Sequence, residues 1–384
     1  MRKLRGPKGK AVDVKVARIG VEELIPFRLV RDEIHIESVR SAYMLGDGIG
    51  YVDLRVFSEN TTEELRKAID GLRAQGMRGL IIDVRANPGG LLDQAIAASD
   101  LFLERGQKVS ELRGRTANMN QTFRATTADQ YKGMPIVILT GPYTASASEI
   151  LAGALQDHDR ALILGERTFG KGSVQTLYQL PENHYLKMTT ARWYTPVGRS
   201  IQRPHREDTT AVDDKVETYR TAAGRVIQGG GGITPDLEIA PDTLTDAELE
   251  FARAVQRHGS KYRDVLYEYA LQYAHAHPEL KPGFPVTSDL VNGFYDALQA
   301  KGIHVDRSLF NKASRWIGHN LAAEVTLAKW NRAMMQQRLN ADDPQVRVAA
   351  ELLRQARDPE SLFAVAARYD TERRLGAAER SGDE

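Results

Sequence analysis

Between Gly48 and about Ala240, short apolar runs alternate with amphipathic stretches. Gly79-Leu-Ile-Ile-Asp-Val84, Pro135-Ile-Val-Ile-Leu139 and Ala161-Leu-Ile-Leu164 are apolar at successive positions, which marks strands buried on both faces. Ile49-Gly-Tyr-Val52 predicts a further strand. Cap-type residues at Asn60-Thr61-Thr62 precede a helix with Leu65, Ile69 and Leu72 on one face. Further helices are expected from Leu92 to Phe102 and from Ala147 to Gln156, and β-rich chain at Val174 to Leu180 and Leu186 to Thr190. Strands alternating with helices predict an α/β core with parallel pairing and site residues at the carboxyl ends of the strands.

The flanks read differently. Val12, Val14 and Val16 alternate with Asp13 and Lys15, and Phe27-Arg-Leu-Val30 follows Pro26, so residues 11–36 predict two strands, too few for a domain of their own. Residues 203–232 are polar and end in a glycine run, the composition of a long surface excursion. From Thr245 onward the pattern is helical, and Thr245-Asp246, Ser288-Asp289 and Asp343-Pro344 divide it into about six helices. The last residues, Gly376 to Glu384, are expected to fray.

The chain has 384 residues, which exceeds what one hydrophobic core serves and argues for two or three domains. Its 52 basic and 51 acidic residues leave a net charge of +1, so binding to nucleic acid through bulk charge is excluded. With no cysteine there is no disulfide, thiolate metal site or cysteine nucleophile. The basic start, Met1 to Lys10, is not followed by an apolar stretch, so it is not read as a signal peptide, and no apolar run approaches a membrane span. Scattered histidines, including His275 and His277 beside Pro278, give no metal-ligand arrangement, and no cofactor is implied.

Three segments couple small residues to the end of a predicted strand: Asn87-Pro88-Gly89-Gly90, Thr144-Ala-Ser-Ala-Ser-Glu149 and Gly165-Glu-Arg-Thr-Phe-Gly-Lys-Gly172. The third is close to a phosphate-binding loop, and Leu80-Ile-Ile-Asp83 is close to its magnesium-side strand, which suggests a nucleotide hydrolase. Against this, Gly172 stands where a hydroxyl should follow the lysine, and the chain beyond reads as extended where a phosphate loop must open a helix. The other reading pairs Ser146 with Lys171. A serine hydroxyl needs a neighbouring base, and a lysine serves only if burial lowers its pKa by about 3 units. Ser146 precedes a predicted helix, where free N–H groups can face an oxyanion, and the glycines at 89 and 90 could bring a second donor close. The bland alternative is that Ala145 to Ser148 only begins a helix and Lys171 only occupies a turn.

Taken together, these segments resemble the carboxyl-terminal processing, or tail-specific, serine proteases. The resemblance rests on five ordered blocks: Asp83-Val-Arg-Ala-Asn-Pro-Gly-Gly90, Thr144 to Ile150, Gly165 to Gln175, Thr189 to Pro196 with Gly198-Arg-Ser-Ile-Gln202, and Gly232-Ile-Thr-Pro-Asp236. It covers roughly residues 1–240 and implies a crotonase-like (ClpP/crotonase) α/β core with a Ser/Lys dyad. On the family's pattern the nucleophile falls on Ser146, the general base on Lys171, the residue orienting that lysine on Gln175, and the oxyanion donors on the backbone N–H of Ala147 and Gly89. Ser148 is left as a structural neighbour, and His158, set among Gln156, Asp157 and Asp159, reads as a helix end rather than part of a triad.

The implied organisation is the last part of a PDZ domain at 1–39, a protease core at 40–243 and a helical region at 244–384, with the tail-binding part of the PDZ expected upstream of Met1. The implied activity is endopeptidase cleavage near or from the C-termini of polypeptides with apolar tails, through an acyl-enzyme. Placement outside the cytoplasm, in the periplasm or envelope, and self-association into a homo-oligomer also follow from the resemblance only. The alternative is a non-catalytic peptide-binding or assembly module on the same fold.

Overall fold

The computed structural model describes residues 3–18, 21–181, 184–203 and 217–381. Residues 204–216 of the excursion expected at 203–232 lie outside the described residues, as do 382–384. The chain divides into two compact units, one formed by Met1–Ile36 with Leu244–Trp330 and the other by Glu37–Thr243 with Asn331–Glu384.

In the first unit, β1 (Ala11–Val16) and β2 (Ile25–Val30) form an antiparallel pair with Val14 opposite Phe27.

The second unit is built on a six-stranded sheet. Its strands are β3 (Val39–Gly46), β4 (Ile49–Leu54), β5 (Gly79–Asp83), β8 (Ile136–Thr140), β9 (Leu162–Gly165) and β14 (Leu237–Glu238), in that spatial order. The predicted parallel pairing holds from β4 through β14. β3 instead returns antiparallel through a tight turn in which Asp47 and Gly48 both have positive φ. Crossovers run through α1 (Thr61–Arg73), α2 (Leu92–Asp100) and α3 (Ala147–Asp157). A second sheet joins β6 (Lys108–Gly114) and β7 (Gln121–Arg124) to a hairpin of β10 (Ser173–Gln179) and β11 (Tyr185–Tyr194), in the order β10-β11-β6-β7. β12 (Thr218–Arg220) and β13 (Val226–Gln228) form a small antiparallel pair.

Strand periodicity explains why the buried runs are apolar throughout. Val52, Leu80, Ile82, Ile136, Ile138 and Ile163 face one core with Leu65, Ile69 and Leu151 of the crossover helices. Their neighbours Tyr51, Ile81, Val137, Leu139, Leu162 and Leu164 face the other.

The helical region contains eight helices among the described residues, where the sequence predicts about six. They are α4 (Asp246–Gln256), α5 (Ser260–Ala276), α6 (Ser288–Ala300), α7 (Arg307–Lys312), α8 (Ser314–Lys329), α9 (Arg332–Ala341), α10 (Pro344–Gln355) and α11 (Pro359–Ser381). The extra breaks, at Ala313 and at Trp330-Asn331, carry neither glycine nor proline, and the one sequence mark is Asn331, whose side chain caps α9 by accepting the Met334 N–H. α11 continues through Gly376 to Ser381, where fraying was expected. α4 to α8 belong to the first unit around Phe251, Phe294, Phe310 and Ile317. α10 and α11 belong to the second and cover the outer face of its sheet with Val346, Leu352, Leu353 and Leu362.

One polar network ties α10 to the carboxyl end of β5. Asp83 accepts hydrogen bonds from Tyr51 Oη at 2.7 Å and from Arg85, whose Nη1 reaches Asp343 Oδ2 at 2.6 Å and Gln345 Oε1 at 2.8 Å. Burial alone would push the Asp83 carboxyl up, but the Arg85 guanidinium and the donated hydrogen bonds hold it below its usual 3.8. A depressed carboxyl contributes stability that is complete above 3.8 and is lost as pH falls through the native value. Asp83→Asn is therefore expected to cost about 3 kcal/mol at neutral pH, by leaving Arg85 short of its partner. Urea titrations should also show a flatter loss of stability below pH 4 than in the parent; an unchanged acid slope would refute the assignment.

Candidate active site

The three small-residue segments leave adjacent parallel strands at their carboxyl ends: 87–90 follows β5, 144–149 follows β8 and 165–172 follows β9. They thus converge by topology. Asp83 and the 165–172 loop do not make a nucleotide site: Asp83 is engaged by Arg85 and Tyr51, and the loop passes from β9 into a strand, not a helix.

Ser146 stands at the start of α3 with φ 57°, ψ −114°, one of three non-glycine residues with positive φ among the described residues. Such a conformation costs on the order of 1–3 kcal/mol and persists only where the surroundings impose it. Here Glu149, fully buried, imposes it. Its Oε2 accepts the Ser146 N–H at 2.8 Å and the Lys171 N–H at 2.9 Å, and its Oε1 accepts the Gly170 N–H at 2.7 Å and the Thr168 hydroxyl at 2.5 Å. One carboxylate therefore holds the backbones of both Ser146 and Lys171. Burial pushes its pKa up; the four donated hydrogen bonds pull it back, leaving it above the usual 4.5.

Asn87, also fully buried, fixes the neighbouring loop. Its Nδ2 donates to Leu54 O at 2.9 Å, and its carbonyl accepts the Ala145 N–H and the Ser148 hydroxyl, both at 3.1 Å. Ser148 is thus buried and occupied, as a structural neighbour should be. Gly89 has φ +97°, and a Cβ there would lie 2.8 Å from Ser146 Cβ and 2.9 Å from Ala147 N, so only glycine admits this approach. The Gly89 N–H, expected as an oxyanion donor, is given to Asn87 Oδ1 at 2.9 Å, and an acyl oxygen would have to compete for it. Ala147, the first residue of α3, has no acceptor for its N–H within the helix.

Ser146, Ala147, Lys171 and Gln175 line one cleft of about 300 Å³, with Trp193 and Lys187 from β11. A bulge between Val174 and Gln175 breaks the alternation of β10, which is why both residues face the cleft. The 168–172 loop is held by its backbone. Besides the two bonds to Glu149, Lys171 O accepts from Trp193 Nε1 at 3.0 Å, Gly172 N–H donates to Gln202 Oε1 at 3.1 Å, and Phe169 N–H donates to Thr144 O at 2.9 Å. Thr168 Oγ1 accepts the Ile233 N–H, and the close pass of Gly232 explains the Gly232-Ile-Thr block: a Cβ there would sit 2.5 Å from Thr168 O. The Lys171 side chain itself is exposed, where the sequence calls for a buried one. His158 lies twelve residues from Ser146 along α3, about 18 Å at 1.5 Å per residue, and its Nε2 meets Lys108 O at 2.7 Å.

Two organising residues have no assigned role in the sequence reading. Glu149 shows itself only as a polar residue at the third position of an otherwise apolar helix start, a spacing that signals a capping box. Arg199 is fully buried against Asp157 and donates to Gln156 Oε1 at 2.9 Å and Gln228 O at 3.1 Å, which anchors the strand exit that carries Gln202. Among the described residues no group of three or more His, Asp or Glu could hold a metal ion, and no helix is long and apolar enough to cross a membrane.

Residues 48–211 match the model of peptidase family S41. The carboxy-terminal-processing protease of Bartonella bacilliformis is 45% identical over 203 residues, covering 52% of this chain and 46% of that protein. Carboxy-terminal processing protease CtpA of Bacillus subtilis is 38% identical over 200 residues, covering 52% and 42%. Among solved structures, a photosystem II D1 C-terminal processing protease is 28% identical with a TM-score of 0.41, covering 61% of this chain and 57% of that one. The similarity to carboxyl-terminal processing proteases read from the motifs therefore holds over this core, while the chain spans about half the length of these curated relatives.

Glu149→Gln sets an amide NH₂ against N–H donors. It is expected to cost about 1–3 kcal/mol in urea unfolding and to weaken labelling of Ser146 by a fluorophosphonate. Because the carboxyl is raised, the stability it contributes is fullest below 4.5 and declines as pH rises through its native value. The gap between parent and variant should therefore narrow with rising pH; a gap that widens would contradict this.

Proposed function

We propose that this chain is a serine endopeptidase that cleaves polypeptides near or from their C-termini, with Ser146 as nucleophile and Lys171 as general base. What carries the reading is the Glu149 carboxylate, which joins the backbones of Ser146 and Lys171 beside a single cleft. Ser146 Oγ attacks the scissile carbonyl carbon and its proton passes to Lys171 Nζ, which then gives it to the leaving amine. Water attacks the acyl carbon with Lys171 accepting its proton, and as the acyl C–Oγ bond breaks Lys171 returns that proton to Ser146 Oγ. The developing oxyanion is met by the N–H of Ala147 and, once released from Asn87, of Gly89. Substrate closure brings Gln175 against Lys171, whose exposed Nζ must be desolvated to act as a base.

In the same reading the sheet and its crossover helices are a crotonase-like core at 40–243, followed by the helical region 244–384. Residues 1–39 are the last part of a PDZ domain, for which the β1–β2 pair is the supporting feature. Polypeptides with apolar C-termini as substrates, self-association and a location outside the cytoplasm follow from the similarity to the processing proteases.

Two observations favour a second reading, a peptide-binding or assembly module on this fold: Lys171 is exposed and the Gly89 N–H is occupied. Mass spectrometry of an unfolded polypeptide with an apolar C-terminus, incubated with the parent chain, Ser146→Ala and Lys171→Ala, separates the two. The expected result is cleavage by the parent, none by Ser146→Ala and a loss of about 10²–10⁴-fold for Lys171→Ala. Peptidase activity retained in Lys171→Ala would remove the dyad, and stable binding without cleavage by any form would establish the module.

A further inference from the structure

β10 begins in the cleft and leads out of it along an open edge. It is the terminal strand of its sheet, paired on one side with β11, and Ser173, Val174 and Gln175 line the cleft beside Ser146. From Gln175 to Gln179 every residue is exposed. Soluble proteins normally blunt such an edge with charge or proline. β10, Ser-Val-Gln-Thr-Leu-Tyr-Gln, has neither, and its single bulge sits at the cleft end.

The side chains extend the same track. Gln175 and Lys187 both face the cleft, so by strand alternation Leu177, opposite Lys187, and Tyr185 lie on the cleft side of the hairpin. Leu177 is 63% exposed and Tyr185 60%, and with Lys187 between them in register they extend this face beyond the cleft.

We infer that the free edge of β10 is the substrate-docking strand: an unfolded polypeptide adds to it as a further β-strand, with its scissile bond at Ser146 and alternate side chains against Leu177 and Tyr185. This rests on the peptidase reading above. Main-chain pairing gives affinity with little sequence demand, and the apolar side chains favour uncharged or apolar residues at alternate positions. Residues 175–179 span about 17 Å at ~3.4 Å each, so about five substrate residues on one side of the scissile bond are engaged. Folded proteins, whose strands are already paired, are excluded by the same geometry.

The test uses synthetic peptides spanning one cleavage site mapped in β-casein, an unfolded protein, each N-methylated at one successive position, with a truncated series alongside. KM for the parent chain and binding to Ser146→Ala by fluorescence anisotropy are both measured. N-methylation should weaken binding and raise KM about tenfold at alternate positions on one side of the scissile bond, and little at those between. Truncation to fewer than about five residues on that side should do the same, and Leu177→Asp should raise KM for the full-length peptide. Cleavage without any alternation overturns the proposal and leaves the peptidase reading intact. Alternating binding without cleavage upholds the docking strand and removes the peptidase reading. If Leu177→Asp instead converts a dimer to a monomer in sedimentation with peptide affinity unchanged, the edge serves a second copy and the proposal falls.

Discussion

A buried carboxylate surrounded by donors is the constraint on which the site depends. Glu149 lies on α3, yet three of the four groups it accepts belong to the loop after β9, and the fourth is the N–H of Ser146. Its desolvation is unfavourable unless all four bonds form together, so the two loops have one joint arrangement rather than two independent ones. The positive φ of Ser146 is held by the same set. Around it, Asn87 fixes the loop after β5, and Thr168 passes the constraint on to Ile233.

The rigid and adjustable parts of the cleft are consequently different in kind. Backbone positions from 168 to 172 are bonded on both sides, while the side chains of Lys171 and Gln175 face solvent. A molecule lying in the cleft would desolvate these side chains, so their surroundings change with occupancy. An exposed lysine at rest also spares the fold the cost of burying a charge.

Much of this was legible in the chain, for identifiable reasons. Runs such as Leu80-Ile-Ile and Ile136-Val-Ile-Leu139 can be apolar at every position only in a doubly covered sheet, and the parallel order followed from the helices between them. β3 and β6 were not legible, because Arg40, Ser41, Lys108 and Glu111 dilute their patterns and pairing with a neighbour decides their state. The convergence of Ser146, Lys171 and Gln175 could be expected from three loops at adjacent strand ends. The exposure of Lys171 and the capture of the Gly89 N–H by Asn87 could not, since both depend on side-chain directions that no spacing encodes.

The second unit is discontinuous in sequence: residues 37–243 form its sheet, and 331–384 return to cover the outer face. Until α10 and α11 exist, Tyr51, Ile81, Val137, Leu139 and Leu164 lack the cover of Val346, Leu352, Leu353 and Leu362 and meet only their neighbours in the sheet layer, such as Leu162, Leu237 and Ile239. Synthesis therefore delivers every residue of the cleft well before the layer that stabilises the sheet beneath it. A nascent chain that has passed Gln175 carries the residues of the cleft on a half-covered scaffold, and the packing of α10 and α11 completes the layer beneath them. Settling of the cleft is thereby tied to the arrival of residues 331–384, a timing device written into the order of the elements.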